Sequence, residues 1–239
     1  MDTSNPLLSR DAAFSRAGDE LDTMTLGGVI NKTSILLLLC VGAGAYSWMN
    51  PEMLGLFMVV GIFGGLIAFM VGLFKPSASP VAAPAYAVLE GLCLGGVSRL
   101  VEAQYPGIVV NTVMLTFGVL ALMLALYATR TIRVTDGLVK GIVAATFAVF
   151  LVYMADMALN LFGIKMPYLH QSGPIGIGIS LVVVAIAAFN LLLDFRVIED
   201  RITARSPRYM EWYCGMALLV TLIWLYLEIL RLLSKLRSR

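Results

Sequence analysis

The sequence predicts an all-α fold: a polytopic membrane protein, a bundle of seven transmembrane helices with almost no soluble domain. Three observations lead there. Of the 239 residues, 59% are hydrophobic and only 13% are charged, about half the roughly 25% charged share of an ordinary soluble domain. So few polar residues cannot cover the core that so many apolar ones would make in water, and lipid must be the solvent for most of the chain. The apolar residues also fall into seven runs, at 33–49, 53–74, 81–101, 107–128, 137–163, 174–200 and 209–232. Each is close to the about 20 residues that a helix needs to cross the hydrocarbon.

The runs are separated by well-marked breakers. Asn50-Pro51 ends the first, Lys75-Pro76-Ser77 the second and Tyr105-Pro106-Gly107 the third. Gly173-Pro174 opens the sixth, and Ser206-Pro207 forms the tip between the sixth and seventh. The first span is short. The sixth keeps its hydrophobicity to Leu193 and continues as a polar helical extension. This divides the chain into a polar N-terminal tail (1–31), a seven-helix domain (32–233) and a basic C-terminal tail (234–239). The N-terminal tail is biased to acid by Asp11, Asp19, Glu20 and Asp22, has room for a short helix and does not read as a cleavable signal.

Charge sets the expected orientation. With the N-terminus in the cytoplasm, the inner segments hold Arg10, Arg16, Lys32, Lys75, Arg130, Arg133, Lys140, Arg196, Arg201, Arg205 and Arg208, while the outer loops hold only Arg99 and Lys165. That obeys the positive-inside rule. Arg231, Lys235, Arg237 and Arg239 dissent: either the last helix crosses fully and carries them outside, or it re-enters and the chain ends inside. Gly61 and Gly65, and Gly91 and Gly95, place small residues four apart, a spacing that lets helices approach closely in lipid. The net charge of +2 gives no reason to expect nucleic acid.

Enzyme signatures are missing. The chain has no phosphate-binding loop and no Gly-x-Ser-x-Gly elbow. Its one histidine, His170, cannot build a His-Glu-x-x-His metal site or a paired-histidine haem or copper site. Cys40, Cys93 and Cys214 match no zinc or redox spacing and read as buried thiols packed like small hydrophobes. No cofactor is called for. A carboxylate-only mechanism is compatible with the composition, but nothing else supports an enzyme.

The remaining chemistry lies in acids placed where charge is costly, at least ~2.5–3.5 kcal/mol at the bilayer centre. They are Glu90, Asp156, Asp194 and Glu228. Asp194 precedes the Pro207 tip by 13 residues, and Glu90 lies 9 residues into its run, about 13 Å at the helical rise. Both fall in the inner half. Asp156 and Glu228 fall in the outer half, so the acids form an inner and an outer layer. Two carboxylates sharing a low-dielectric site do not readily both ionise, which makes such a pair a pH-sensitive gate or a cation site. Blander readings stand beside these. Glu228 can pair with Arg231 along its own helix, Asp156 can sit at the interface near Asn160, and Asp194 can be an interfacial acid beside Arg196 and Arg201. Glu90 has no Lys or Arg within a turn.

Several long phrases resemble one family. They are FNLLLDFRVIED (Phe189 to Asp200), SPRYMEWYCGMALLVTLIWLYLEILRLLSKL (Ser206 to Leu236), TMTLGGVINKTSILLLL (Thr23 to Leu39) and AYAVLEGLCLGGVS (Ala85 to Ser98). On these the chain resembles the bacterial branch of the Bax inhibitor-1/YccA family, the transmembrane BAX inhibitor motif family. The resemblance is strongest over the last 50 residues and thinner over nearly all the rest.

It implies a seventh helix surrounded by the other six, and a pH-dependent calcium leak controlled by an aspartate near the end of helix six and another in helix seven. Asp194 matches the first. The Leu-Arg-Leu end of helix seven puts Thr221 in place of the second, and Thr221 lies 14 residues past the tip, level with Asp194. Glu90, at similar depth, is then the candidate for the missing carboxylate. The expected function is a pH-responsive cation leak channel dependent on Asp194 and Glu90, with calcium favoured as the transported ion because it accepts carboxylate, hydroxyl and carbonyl oxygens. Another branch of the family implies the alternative, a membrane interaction protein that restrains a protease of the FtsH type or another membrane partner through its N-terminal tail. The branch also implies a bacterial cytoplasmic membrane, and the central helix favours a monomer.

Overall fold

The computed structural model of the chain describes residues 23–163 and 173–238. His170, Lys165, Arg239 and the acidic residues 11–22 of the tail lie outside them. Among the described residues seven α-helices run in order: α1 Leu26–Met49, α2 Leu54–Phe74, α3 Ser79–Gln104, α4 Ile108–Ala128, α5 Asp136–Leu161, α6 Pro174–Thr203 and α7 Met210–Arg237. All seven are long and apolar enough to cross a membrane.

The breakers act as their chemistry dictates. Pro51 and Pro76 open short 3-10 turns (Pro51–Met53 and Pro76–Ala78) that reverse the chain before α2 and α3. Gly107 takes φ 82°, a left-handed conformation that costs a glycine little, and starts α4 at once. Pro174 occupies the first turn of α6, where its missing N–H is not needed.

Both chain-terminal boundaries shift. α1 begins at Leu26, not near residue 32, because the Thr25 hydroxyl accepts from Gly28 N at 2.9 Å and caps a turn whose glycines, Asn31 and Lys32 dilute the apolar signal. α7 runs to Arg237, so most of the expected basic tail is helix. Thr23 bridges to Pro207 at the α6–α7 tip, whereas Arg237 donates to the Pro106 carbonyl between α3 and α4 at 2.5 Å. The described chain therefore starts and finishes at opposite ends of the bundle. The last helix runs unbroken from one end of the bundle to the other, without the reversal that the re-entrant alternative requires.

α7 is the axis: more than half of its apolar stretch is buried, whereas α5 is the most exposed of the seven. It packs against α1, α3, α4 and α6, while α2 lies mainly on α3 and α5 on α6. These four pack most closely on it, while α2 reaches it through Ala68 and Gly72 against Met216 and α5 through Tyr153 against Glu228. α7 separates two core clusters. One joins Ala187, Leu191 and Leu192 of α6 to Leu218, Leu222 and Leu225. The other joins Leu36 and Cys40 of α1 and Ala83, Tyr86 and Ala87 of α3 to Met216, Leu219 and Ile223.

The glycine pairs perform the expected packing. A Cβ on Gly61 would come within 2.6 Å of the Leu89 carbonyl oxygen on α3. Gly91 and Gly95 meet the backbone of α1 at Cys40 and Gly44. Side chains such as Phe63 (63% exposed) and Phe147 (59%) turn outward, as lipid solvation allows.

Candidate functional site: a polar seam between α5, α6 and α7

Asp194 sits on α6 one turn after Asn190. Its Oδ2 is sealed from solvent and has no hydrogen-bond partner. The Thr221 side chain of α7 faces the carboxylate as a hydrogen-bonding neighbour, and its hydroxyl also reaches the Ala217 carbonyl at 3.3 Å. The two residues expected to share a depth therefore meet across the α6–α7 interface. The tight turn at Arg205, with φ 51°, folds the hairpin that sets their register.

Going away from the tip, Asn190 Nδ2 donates to Thr146 Oγ1 on α5 at 2.8 Å and to the Ile186 carbonyl, also at 2.8 Å. Beyond it, Glu228 on α7 is only 2% exposed. Its Oε1 accepts from the Tyr153 hydroxyl at 2.9 Å and pairs with Arg231 at 3.2 Å. Arg231 also donates to the Tyr153 oxygen and lies over its ring. Asp156, one turn past Tyr153, is 9% exposed, and its backbone carbonyl accepts from Asn160 at 3.0 Å. Lys235, 7% exposed, donates to Ser180 Oγ at 2.8 Å and to the Gly176 carbonyl at 3.1 Å, tying the end of α7 to the start of α6.

Of the five expected residues, Asp194, Thr221 and Glu228 thus lie along this seam, and Asp156 is buried one turn from Tyr153 on α5. The intrahelical pairing of Glu228 with Arg231 does form, but Tyr153 makes it a link between α5 and α7.

Glu90 does not join them. Its carboxylate lies against Gly65, where a Cβ would be 2.9 Å from Oε1, and its neighbours are Tyr86, Cys40 and Cys93. Among the described residues no hydrogen bond or ion pair connects Glu90 with Asp194. The reason is the architecture: Glu90 belongs to the α1–α3 side of α7 and Asp194 to the α6 side. Equal depth did not imply proximity, because the central helix stands between them. The three cysteines are free and buried.

A model of the Bax inhibitor 1 like family matches residues 5–238. The chain belongs to that family. Compared with the curated proteins and with solved structures, it matches none. The Bax inhibitor 1-like proteins are generally non-enzymatic membrane proteins. Among the described residues of this member, no three His, Cys, Asp or Glu side chains converge on a metal-sized site.

Sequence reasoning missed Asn190, Tyr153 and Lys235. Asn190 was findable as a polar residue four before Asp194 on the same helix face. The partners of Tyr153 and Lys235 come from other helices, so no local pattern announces them.

Proposed function

We propose that the protein is a passive, pH-responsive cation leak channel of a bacterial cytoplasmic membrane, with calcium the favoured ion, the N-terminus in the cytoplasm and Asp194 as its titrating gate. One observation carries this reading: a carboxylate oxygen sealed in the bundle interior without a hydrogen-bond partner, beside a hydroxyl on the central helix. In so apolar a setting a bare carboxylate is costly, and it is relieved either by a proton or by a cation. Protonated, Asp194 becomes a neutral hydrogen-bonding group that lets α6 and α7 pack together. Ionised, it favours a hydrated state in which the two helices separate and a cation can enter. Thr221 steadies either form through a hydrogen bond but holds no proton for exchange, so a single acid does the titration. Asn190 and Thr146, then Tyr153 and Glu228, offer oxygen ligands further along the seam.

The test is calcium flux into liposomes that contain the purified chain, measured from acid to neutral pH beside Asp194→Asn. A flux that rises with pH in the parent and loses that dependence in the variant is the expected result. No flux at any pH, or an unchanged profile in Asp194→Asn, would sink the proposal.

A further inference from the structure

A cavity lies on the opposite side of α7 from the seam. α1 and α4 flank the central helix but hardly touch each other. The gap between them is a groove of about 470 Å³, within the ~300–1,000 Å³ of small-molecule sites. α7 forms its floor through Leu219, Ile223 and Tyr226, and Ala45 of α1 faces Val113 of α4 across it.

The polar groups of the groove are already engaged. Ser98 Oγ and Tyr226 OH bond each other at 2.6 Å, and Thr116 donates to the Thr112 carbonyl at 2.8 Å. The Glu102 carboxylate accepts from Gly107 N and Val109 N, at 2.5 and 2.9 Å, at the start of α4. Water in a cavity needs two to four polar partners, and a lining this apolar, with its few polar groups already bonded, offers them poorly. An empty groove would forfeit the dispersion contacts of its whole lining. Trp48 lines the groove, and Arg99 behind it donates to the Trp48 carbonyl at 2.6 Å and lies over its ring. Among the described residues no carboxylate forms an ion pair with Arg99 (Glu102 is turned to the start of α4), so its charge is free beside an aromatic of the kind that sits at headgroup level.

We infer that this groove is a binding site for one phospholipid, an acyl chain lying between α1 and α4 on the floor of α7 and its phosphate on Arg99. Hydrocarbon matches a lining whose polar groups are satisfied, and the phosphate supplies the anion that Arg99 lacks. The bound chain completes the packing ring around the central helix where the protein leaves it open.

The full-length protein is placed in nanodiscs doped with a phospholipid carrying a photoreactive carbene precursor on one acyl chain. After illumination, labelled residues are mapped by mass spectrometry. Label should concentrate on α1 and α4 at the groove, well above the equally exposed Phe63 and Ile67 of α2. Ala45→Trp, or Val113→Trp should the first variant fold poorly, fills the groove and should remove that excess. Arg99→Gln should lower phospholipid retained through delipidation about tenfold, the change expected from losing one charge-assisted contact. Even labelling of groove and α2, or an excess that survives both tryptophan variants, would overturn the inference. So would an unlabelled groove in a chain that runs as a dimer, which would put a second copy there.

Discussion

Gly95→Ala tests the bundle at its closest backbone contact. A Cβ at this position would lie 2.8 Å from Gly44 Cα and 2.9 Å from Gly44 C on α1, and nearer still to the Gly44 carbonyl oxygen. Ordinary contact starts at 3.4 Å, so α1 and α3 must part by at least 0.6 Å. No rotamer change relieves this, because the obstacle is backbone on both sides. Overpacking costs about 1–3 kcal/mol, and a radial gap of ~0.5–1 Å already forfeits a quarter to a half of each dispersion contact along the seam. The upper half of the range is therefore expected, about 2–3 kcal/mol, or a fall of about 4–12 °C in midpoint for a chain of this size. The assay is thermal unfolding of the purified protein in one detergent, beside Gly118→Ala and Gly141→Ala. Nothing lies within 4 Å of a Cβ at either control position, and these should be neutral or stabilising by up to about 1 kcal/mol. Gly91→Ala strains the same interface, 2.9 Å from Cys40 Cα, so the double variant should cost less than the sum. If Gly95→Ala melts with the controls, the close approach of α1 and α3 is wrong.

Other expectations follow from single contacts. Glu211 is 2% exposed and its Oε1 accepts from Thr25 N and Thr25 Oγ1, both at 3.0 Å. Glu211→Ala should destabilise by at least about 2 kcal/mol, while Glu211→Gln, which keeps an acceptor, should lose less in the same melt. Lys235→Met removes two buried hydrogen bonds to α6 and should cost about 2 kcal/mol or more. A Lys235→Met melt equal to the parent would dismiss that anchor. Tyr153→Phe should lower stability by about 1 kcal/mol through its lost bond to Glu228. Glu90→Gln should leave the pH profile of any flux in place, since α7 separates Glu90 from Asp194; a displaced profile would restore it to the gate.

Helix number and the breaks between helices were legible in the sequence because they depend on local chemistry: hydrophobic length, prolines, and glycines at the turns. The start of α1 and the end of α7 were not, since polar residues there are carried in helix. The level placement of Asp194 and Thr221 was legible too, since a hairpin with a known tip fixes depth by counting along two helices. Counting says nothing about azimuth. Glu90 was matched to Asp194 by depth alone, and only the packing reveals the central helix between them. Tyr153 with Glu228, Lys235 with Ser180, and Glu211 with Thr25 unite residues 55 to 186 positions apart, far beyond any periodic signal. The sequence by itself determined that this chain lives in lipid, how often it crosses and which acids it carries inward. The tertiary structure alone decided which acids share a seam, which helix stands between them and where the ring stays open to the bilayer. Solvent preference is a property of each segment, whereas the neighbours of a side chain are set by how all seven segments pack.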